Sequence, residues 1–319
     1  MLDIRLLRET PEAVQADLRK RGRDTAVVEE VRRLDQAWRD GLKRMEALRA
    51  ERNRSGKLVA EAKKAGQDAT PLLSRMAEVA GELRRLEAEV PATERQRDAL
   101  LRTIPNLMHP DVPVGKDDSE NVQVRAWGGT PTHPFPARSH VDLLESLDVA
   151  DLERAARAAG ARFAYLKGDL VLMGRALEMF ALQRLAAKGF TPIDPPYLLR
   201  REAVEGAVDL ADFESVIYKV PGEAGADGKG REPDLYLIAT SEHPLAAMHM
   251  GEILEDAKLP LLYAGVSPCF RKEAGAHGKD TKGIFRVHQF QKVEMFVFCR
   301  PDESWTFHEE LLQNAEQLL

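Results

Sequence analysis

A chain of 319 residues with a formal net charge of −6 is long enough for two domains and, taken whole, is not an obvious polyanion binder. Its two cysteines, Cys269 and Cys299, exclude a disulfide framework; with no apolar run near the ~20 residues of a membrane span and no signal-peptide stretch in MLDIRLLRETPEAV, a cytoplasmic location is expected. Charge is uneven: residues 1–104 carry 23 Lys and Arg against 19 Asp and Glu and the remainder 23 against 33, a weak hint of a nucleic-acid partner on the basic part.

Two long helical patterns come first. Val31, Leu34, Trp38, Gly41, Met45, Leu48, Arg52, Ser55, Val59 and Ala62 alternate spacings of three and four, and so do Met76, Val79, Leu83, Leu86, Val90, Thr93, Arg97, Leu100 and Ile104. A period of 3.5 is a coiled-coil seam. The short polar break 65–71 predicts an antiparallel hairpin, with Pro71 near the start of the second helix. Gly41, Arg52 and Ser55 weaken the first seam, and Pro91 is expected to kink the second helix. A helix of roughly 40 residues spans ~60 Å, so the hairpin is expected to project as an arm. Near its tip stand Arg49, Arg52, Arg54, Lys57, Lys63 and Lys64 against Glu51 and Glu61. Such a run reads as a solvated helix surface or as a phosphate-contacting tip.

A Pro- and Gly-rich linker over 105–138 places a domain boundary near residue 110: a helical arm over 1–109 and a second domain over 110–319. VDLLESL and DLERAARAAG read as helices. GRALEMFALQRLAAKG reads as an amphipathic helix closed by Gly189, followed by FTPIDPPYLL as a short strand ended by prolines. SVIYKV and LYLIAT flank a Gly-rich insertion as a hairpin. A helix is expected from Glu242, then apolar strands near 260–266 and 284–298. Locally connected strands among helices predict an antiparallel α+β domain.

The stretch CFRKEAGAHGKDTKGIFRVHQFQKVEMF, residues 269–296, carries the chemistry. Alternation puts Arg271 and Glu273 on one strand face, and Arg286, His288, Phe290, Lys292 and Glu294 on another. If the two strands pair, a guanidinium fork for phosphate, a ring for stacking and carboxylates for an amine or hydroxyl share a surface. The bland alternative is an exposed hairpin with cross-strand salt pairs. ATSEHP is also open to two readings, a binding loop or a helix start capped by Ser241. The eight histidines show no zinc-ligand spacing.

Residues 269–296 resemble motif 2 of class II aminoacyl-tRNA synthetases, and the form FRxE–loop–FRxHQFxKVE resembles the seryl-tRNA synthetase family. PNLMHPDVPVG and ENVQVRAWG resemble that family's linker, GFTPIDPPYLL its motif 1 with Pro196 at the dimer-interface proline, and YLIATSEHPLAAMH its serine-recognition loop. TSE and GIFRVHQF resemble archaeal and eukaryotic members most. The resemblance implies a two-helix tRNA-binding arm and a class II sheet domain flanked by helices. It implies ATP and Mg²⁺ as cosubstrate and ion, L-serine and tRNA(Ser) as substrates, and a homodimer; tRNA(Sec) stays open. Carried over, Arg271 would hold the α-phosphate and the serine carboxylate region, Glu273 would read the adenine amino group, Phe290 would stack on adenine and Arg286 would contact outer phosphates. Lys272 and Val287 would lie in the same ATP site. Thr240, Ser241, Glu242, Arg271 and Glu294 would bind serine, the loop 274–283 would touch ATP and the tRNA acceptor end, and Arg49, Arg52, Arg54, Lys57, Lys63 and Lys64 would bind tRNA. The family's motif 3 is not in this sequence, so a fragment of the ligase, a natural inactive truncation or a non-catalytic tRNA-binding relative are the competing expectations.

Overall fold

The computed structural model describes residues 2–208, 214–223, 231–273 and 282–319 and divides into two compact units, Met1–Val124 and Arg125–Leu319. Residues 224–230 and 274–281, which carry much of the Gly-rich insertion and of the loop AGAHGKDTKG, lie outside the described residues.

The first unit holds α1 (Ile4–Glu9), α2 (Pro11–Lys20), α3 (Ala26–Lys64) and α4 (Thr70–Arg102). The long pair α3 and α4 is the antiparallel hairpin that the 3.5-residue seam predicts. Met45 and Leu48 bury against Val79, Leu83, Leu86 and Val90, and Val59 and Ala62 close the far end with Ala69. Burying that seam, rather than local propensity, holds helices of this length. Arg52 leaves the seam for solvent, while Ser55 stays buried. Arg97 occupies a buried seam position because it has partners: it lies 4.3 Å over the Trp38 ring and 3.5 Å from the buried Asp35, which also takes Arg8 at 2.7 Å and Arg39 at 3.0 Å. Burial alone would raise the Asp35 pKa; the Arg8 hydrogen bond and the surrounding guanidinium charge outweigh it and hold the carboxyl below its ordinary value. A second core joins Leu7, Val14 and Leu18 to Val28, Val31, Leu101 and Ile104.

Gly41 is a seam position that sequence reading counts as a defect, and the packing gives it a reason. A Cβ there would stand 2.6 Å from Val90 Cγ2. The glycine lets the two helices approach beside Pro91, through which α4 continues as helix. Gly41→Leu is therefore expected to destabilise this unit by about 1–3 kcal/mol through overpacking, read as a lower thermal unfolding midpoint.

In the second unit, α5 (His140–Ser146), β1 (Ala150–Asp151), α6 (Leu152–Ala159), β2 (Tyr165–Leu166) and α7 (Asp169–Ala187) precede the sheets. The expected helix at 174–189 begins earlier, at Asp169, and it is not amphipathic toward this chain's core. Only Leu185 is buried, while Leu172, Met173, Leu177, Met179 and Phe180 are exposed. The expected single strand FTPIDPPYLL is two, β3 (Thr191–Ile193) and β4 (Leu198–Arg200), in different sheets. Pro195 and Pro196 between them have no N–H for a ladder, so one continuous strand cannot form. After α8 (Arg201–Ala207), the expected hairpin is β5 (Lys219–Val220) with β6 (Leu235–Leu237), in the order β4-β6-β5. Then come α9 (Glu242–Ala247), β7 (Leu261–Phe270), β8 (Gln289–Phe298) and α10 (Ser304–Leu318). The main sheet runs β3-β7-β8, with β7 and β8 antiparallel over ten pairs and β3 parallel to β7. Its core sets Leu185, Phe190 and Ala264 against Val293, Met295 and Leu311. No helix among the described residues is long and apolar enough to cross a membrane.

Candidate active site

The site grows from the end of the β7–β8 ladder. Cys269 opposes Phe290, Ser267 opposes Lys292 and Gly265 opposes Glu294, so Phe290, Lys292 and Glu294 project from one face. Arg271 and Glu273 do not lie within β7, as the alternation argument assumed, nor do Arg286 and His288 lie within β8. Both pairs stand just beyond the regular ladder. Pairing persists there without strand geometry: Arg271 N donates to His288 O at 2.9 Å, and His288 Nδ1 donates to Arg271 O at 2.8 Å. Glu273 has a left-handed φ of 51°, which ends the strand and turns its carboxylate to Arg286 Nη1 at 3.0 Å. The Arg271 guanidinium lies 5.1 Å from the Phe290 ring centroid and donates through Nε to Ala239 O at 3.2 Å. That contact is worth about 0.5–2 kcal/mol and fixes the planar fork above the ring.

Beside it, Thr240 joins the TSE turn to β8. Its Oγ1 donates to Glu294 Oε2 at 2.9 Å and accepts from Lys292 Nζ at 2.9 Å and from Glu242 N at 3.2 Å. Lys292 and Glu294 also form an ion pair. Gly265 makes this junction possible: a Cβ there would stand 2.9 Å from both Ser241 Cβ and Leu245 Cδ1, so only glycine lets the start of α9 sit on β7. Ser241 is fully buried and its Oγ is 2.7 Å from Ser267 Oγ. It occupies the cap position of α9 without making the expected side-chain cap; Thr240 takes the Glu242 N–H instead. Glu242 is exposed at the first turn of α9. Lys272 turns elsewhere, with its Nζ 5.9 Å over the Tyr218 ring and its N donating to Val216 O at 2.8 Å. Val287 lines a cavity of about 640 Å³ along β8, shared with Phe163, Ile284, Phe290 and Lys292. Thr240, Glu242, Arg271 and Glu294 do not line it.

Among the expected residues of the arm, Arg49 is 3.4 Å from Glu87. Arg52, Arg54, Lys57, Lys63 and Lys64 are exposed and form no ion pair among the described residues. Pro196 is exposed.

Sequence reasoning missed His243. It is 1 % exposed in the first turn of α9, and its Nδ1 has no hydrogen-bond partner among the described residues. Burial first, then the positive charges of Lys292 and Arg271, lower its pKa to about 4. The unfolded chain therefore binds a proton that the folded chain refuses between about pH 6.5 and 4. The stability from this residue is complete above pH 6.5 and is lost as pH falls through that window, by ~3 kcal/mol in all. His243→Gln is expected to flatten the fall in unfolding midpoint between pH 7 and pH 4, and an unchanged slope would refute the assignment. The sequence signal was a histidine between a capping turn and a proline, which does not reveal burial.

The profile of the seryl-tRNA synthetase N-terminal domain matches residues 1–108, and that of the tRNA synthetase class II core domain (G, H, P, S and T) matches residues 218–319. The serine–tRNA ligase of Thermococcus onnurineus (strain NA1) is 48% identical, with 100% of this chain aligned to 72% of that protein. That of Methanocella arvoryzae is 46% identical over 99% of this chain and 72% of its own length. The crystal structure of seryl-tRNA synthetase from Pyrococcus horikoshii complexed with ATP superposes with a TM-score of 0.83 at 47% identity, covering 100% of this chain and 74% of that one. The cytoplasmic serine–tRNA ligase of Naegleria fowleri in complex with AMP gives 0.79 at 32% identity, covering 99% and 75%.

Proposed function

The chain belongs to the seryl-tRNA synthetase family of class II ligases, and from that premise we propose that the face of β7 and β8 forms seryl-adenylate and passes its acyl group to tRNA(Ser). The observation that carries this reading is the convergence of Arg271 over Phe290, Arg286 on Glu273, and Thr240 on Lys292 and Glu294. In the first step a serine carboxylate oxygen attacks the α-phosphorus and the bond to pyrophosphate breaks. Arg271 stabilises the charge that grows on the α-phosphate, Arg286 holds the outer phosphates, Phe290 carries the adenine and Glu273 accepts from its amino group. Thr240, Glu242 and Glu294 receive the serine ammonium and hydroxyl. In the second step a ribose hydroxyl of the tRNA end attacks the acyl carbon, AMP leaves with the bonding electron pair, and the hydroxyl proton is lost.

Mg²⁺, expected with ATP, finds no protein donor set here: the described residues hold no group of three or more His, Cys, Asp or Glu side chains able to hold a metal ion. Glu273 and Glu294 are each engaged by a cation. The exposed apolar side of α7, with Pro196 exposed after it, supports a homodimer. A cytoplasmic location follows from the family reading.

Serine-dependent ATP–pyrophosphate exchange by the full chain tests the reaction. Exchange that rises with serine and not with alanine is expected; tRNA binding without any exchange would leave the fragment and non-catalytic readings, which the same assay on a chain of the relatives' full length separates. For the arm, reversing Arg52, Arg54 and Lys57 to Glu is expected to weaken tRNA(Ser) binding at least ~10-fold and to flatten its dependence on salt. Unchanged affinity at low salt would remove the tip from the interface.

A further inference from the structure

Building on the nucleotide reading above, we infer that His140 is a positioning residue that latches residues 283–286 and so sets Arg286 against its phosphate. His140 is the first residue of α5, and a capping box of Ser139 and Asp142 fixes that helix start. Across 144 residues of sequence, Ile284 N donates to His140 Nε2 at 3.3 Å. The Phe285 ring stacks on the imidazole with centroids 3.8 Å apart and planes at 25°. Gly283 completes the fit: its φ is +82°, and a Cβ there would stand 1.9 Å from His140 Nε2. The next residue after the stacked ring is Arg286, which meets Glu273.

The contact is not core packing, since Phe285 remains 73% exposed. An exposed ring held on an imidazole by a single backbone hydrogen bond contributes little to the fold; what it does is hold the segment that enters β8. The bond also fixes the tautomer. Nε2 accepts, so the ring proton resides on Nδ1. On the far side, Arg162 holds the same hairpin, accepting from His288 N at 3.1 Å through its carbonyl and donating to Glu273 O at 3.3 Å. The described parts of residues 271–288 are thus gripped from α5 and from the turn before β2, leaving Arg286 little freedom.

Three variants of the full chain test this: His140→Ala loses acceptor and ring, His140→Phe keeps the ring, and His140→Gln keeps an acceptor. Calorimetric binding of a non-hydrolysable ATP analogue is expected to weaken about five- to tenfold in Ala, the equivalent of one hydrogen bond. Gln is expected to return within about twofold of the original chain and Phe to stay close to Ala. The KM for serine moves less than about twofold in all three, a split that general unfolding would not produce. Amide exchange of the 282–288 segment accelerates in Ala. Gly283→Ala is expected to reproduce the loss and, combined with His140→Ala, to add less than it does alone. Analogue affinity unchanged in His140→Ala overturns the latch while sparing the adenylate site. No analogue binding by the original chain would instead overturn the adenylate site and with it the purpose assigned to the latch.

Discussion

Arg271→Ala is expected to lower serine-dependent ATP–pyrophosphate exchange by about 10²–10³-fold, the range found when one preorganised charge-stabilising donor is removed. Two restraints, the Ala239 carbonyl and the Phe290 ring, hold its guanidinium before any substrate arrives. The side chain therefore pays little ordering entropy when negative charge develops on the α-phosphate. Arg271→Lys should recover only part of the loss, because an ammonium cannot donate to the carbonyl, sit over the ring and fork to phosphate together. Arg271 is only half-buried, so the unfolding midpoint should shift little and the loss should appear in kcat. Exchange within threefold of the original chain for Arg271→Ala would refute the α-phosphate role. Loss in KM alone would move Arg271 from transition-state stabilisation to ground-state binding.

The α3–α4 hairpin was legible because one rule decides it: a seam of period 3.5 must be covered, and a break as short as 65–71 leaves only an antiparallel partner. The β7–β8 pairing was legible only in part: the apolar runs near 260–266 and 284–298 announced two strands, and the alternation of Phe290, Lys292 and Glu294 fixed which face of β8 they share, while β7 carries no charge to set a register. The ends were not. Alternation sets Arg271 and Glu273 on one strand face, but it cannot say that β7 stops at Phe270 or that Glu273 turns left-handed. Thr240, not Ser241, caps the Glu242 N–H, because Ser267, 26 residues away, pairs with the Ser241 hydroxyl. The amphipathic reading of α7 named a polar and an apolar side, but its apolar residues lie all round the helix, and that pattern does not tell a core helix from one whose face looks outward. His140, Arg162 and Ala239 act through backbone groups far away in sequence, and side-chain motifs are blind to such contacts.

Glu294→Ala should be the most damaging change on the amino-acid side. It removes the acceptor of the Thr240 hydroxyl and the ion-pair partner of Lys292 at once. An unpaired ammonium would then stand where the substrate ammonium must enter, so repulsion replaces attraction. Activation of serine is expected to fall by about 10³-fold in kcat/KM, as when a paired, partly desolvated charge loses its partner. Glu294→Gln separates the two contributions. The amide oxygen still accepts from Thr240, while its charge is gone, so a loss of about 10²-fold is expected. The KM for ATP should move less than about threefold in either variant, because Phe290, Arg271 and Arg286 keep their contacts. Selectivity is the sharper measure. A site that bonds the serine hydroxyl rejects alanine because its polar groups would otherwise be left unpaired. Removing Glu294 takes away one of those groups, so serine should lose far more than alanine and the ratio of their kcat/KM values should shrink. Equal losses for the two amino acids would show that Glu294 holds only the shared ammonium, and the hydroxyl would have to be read by another group.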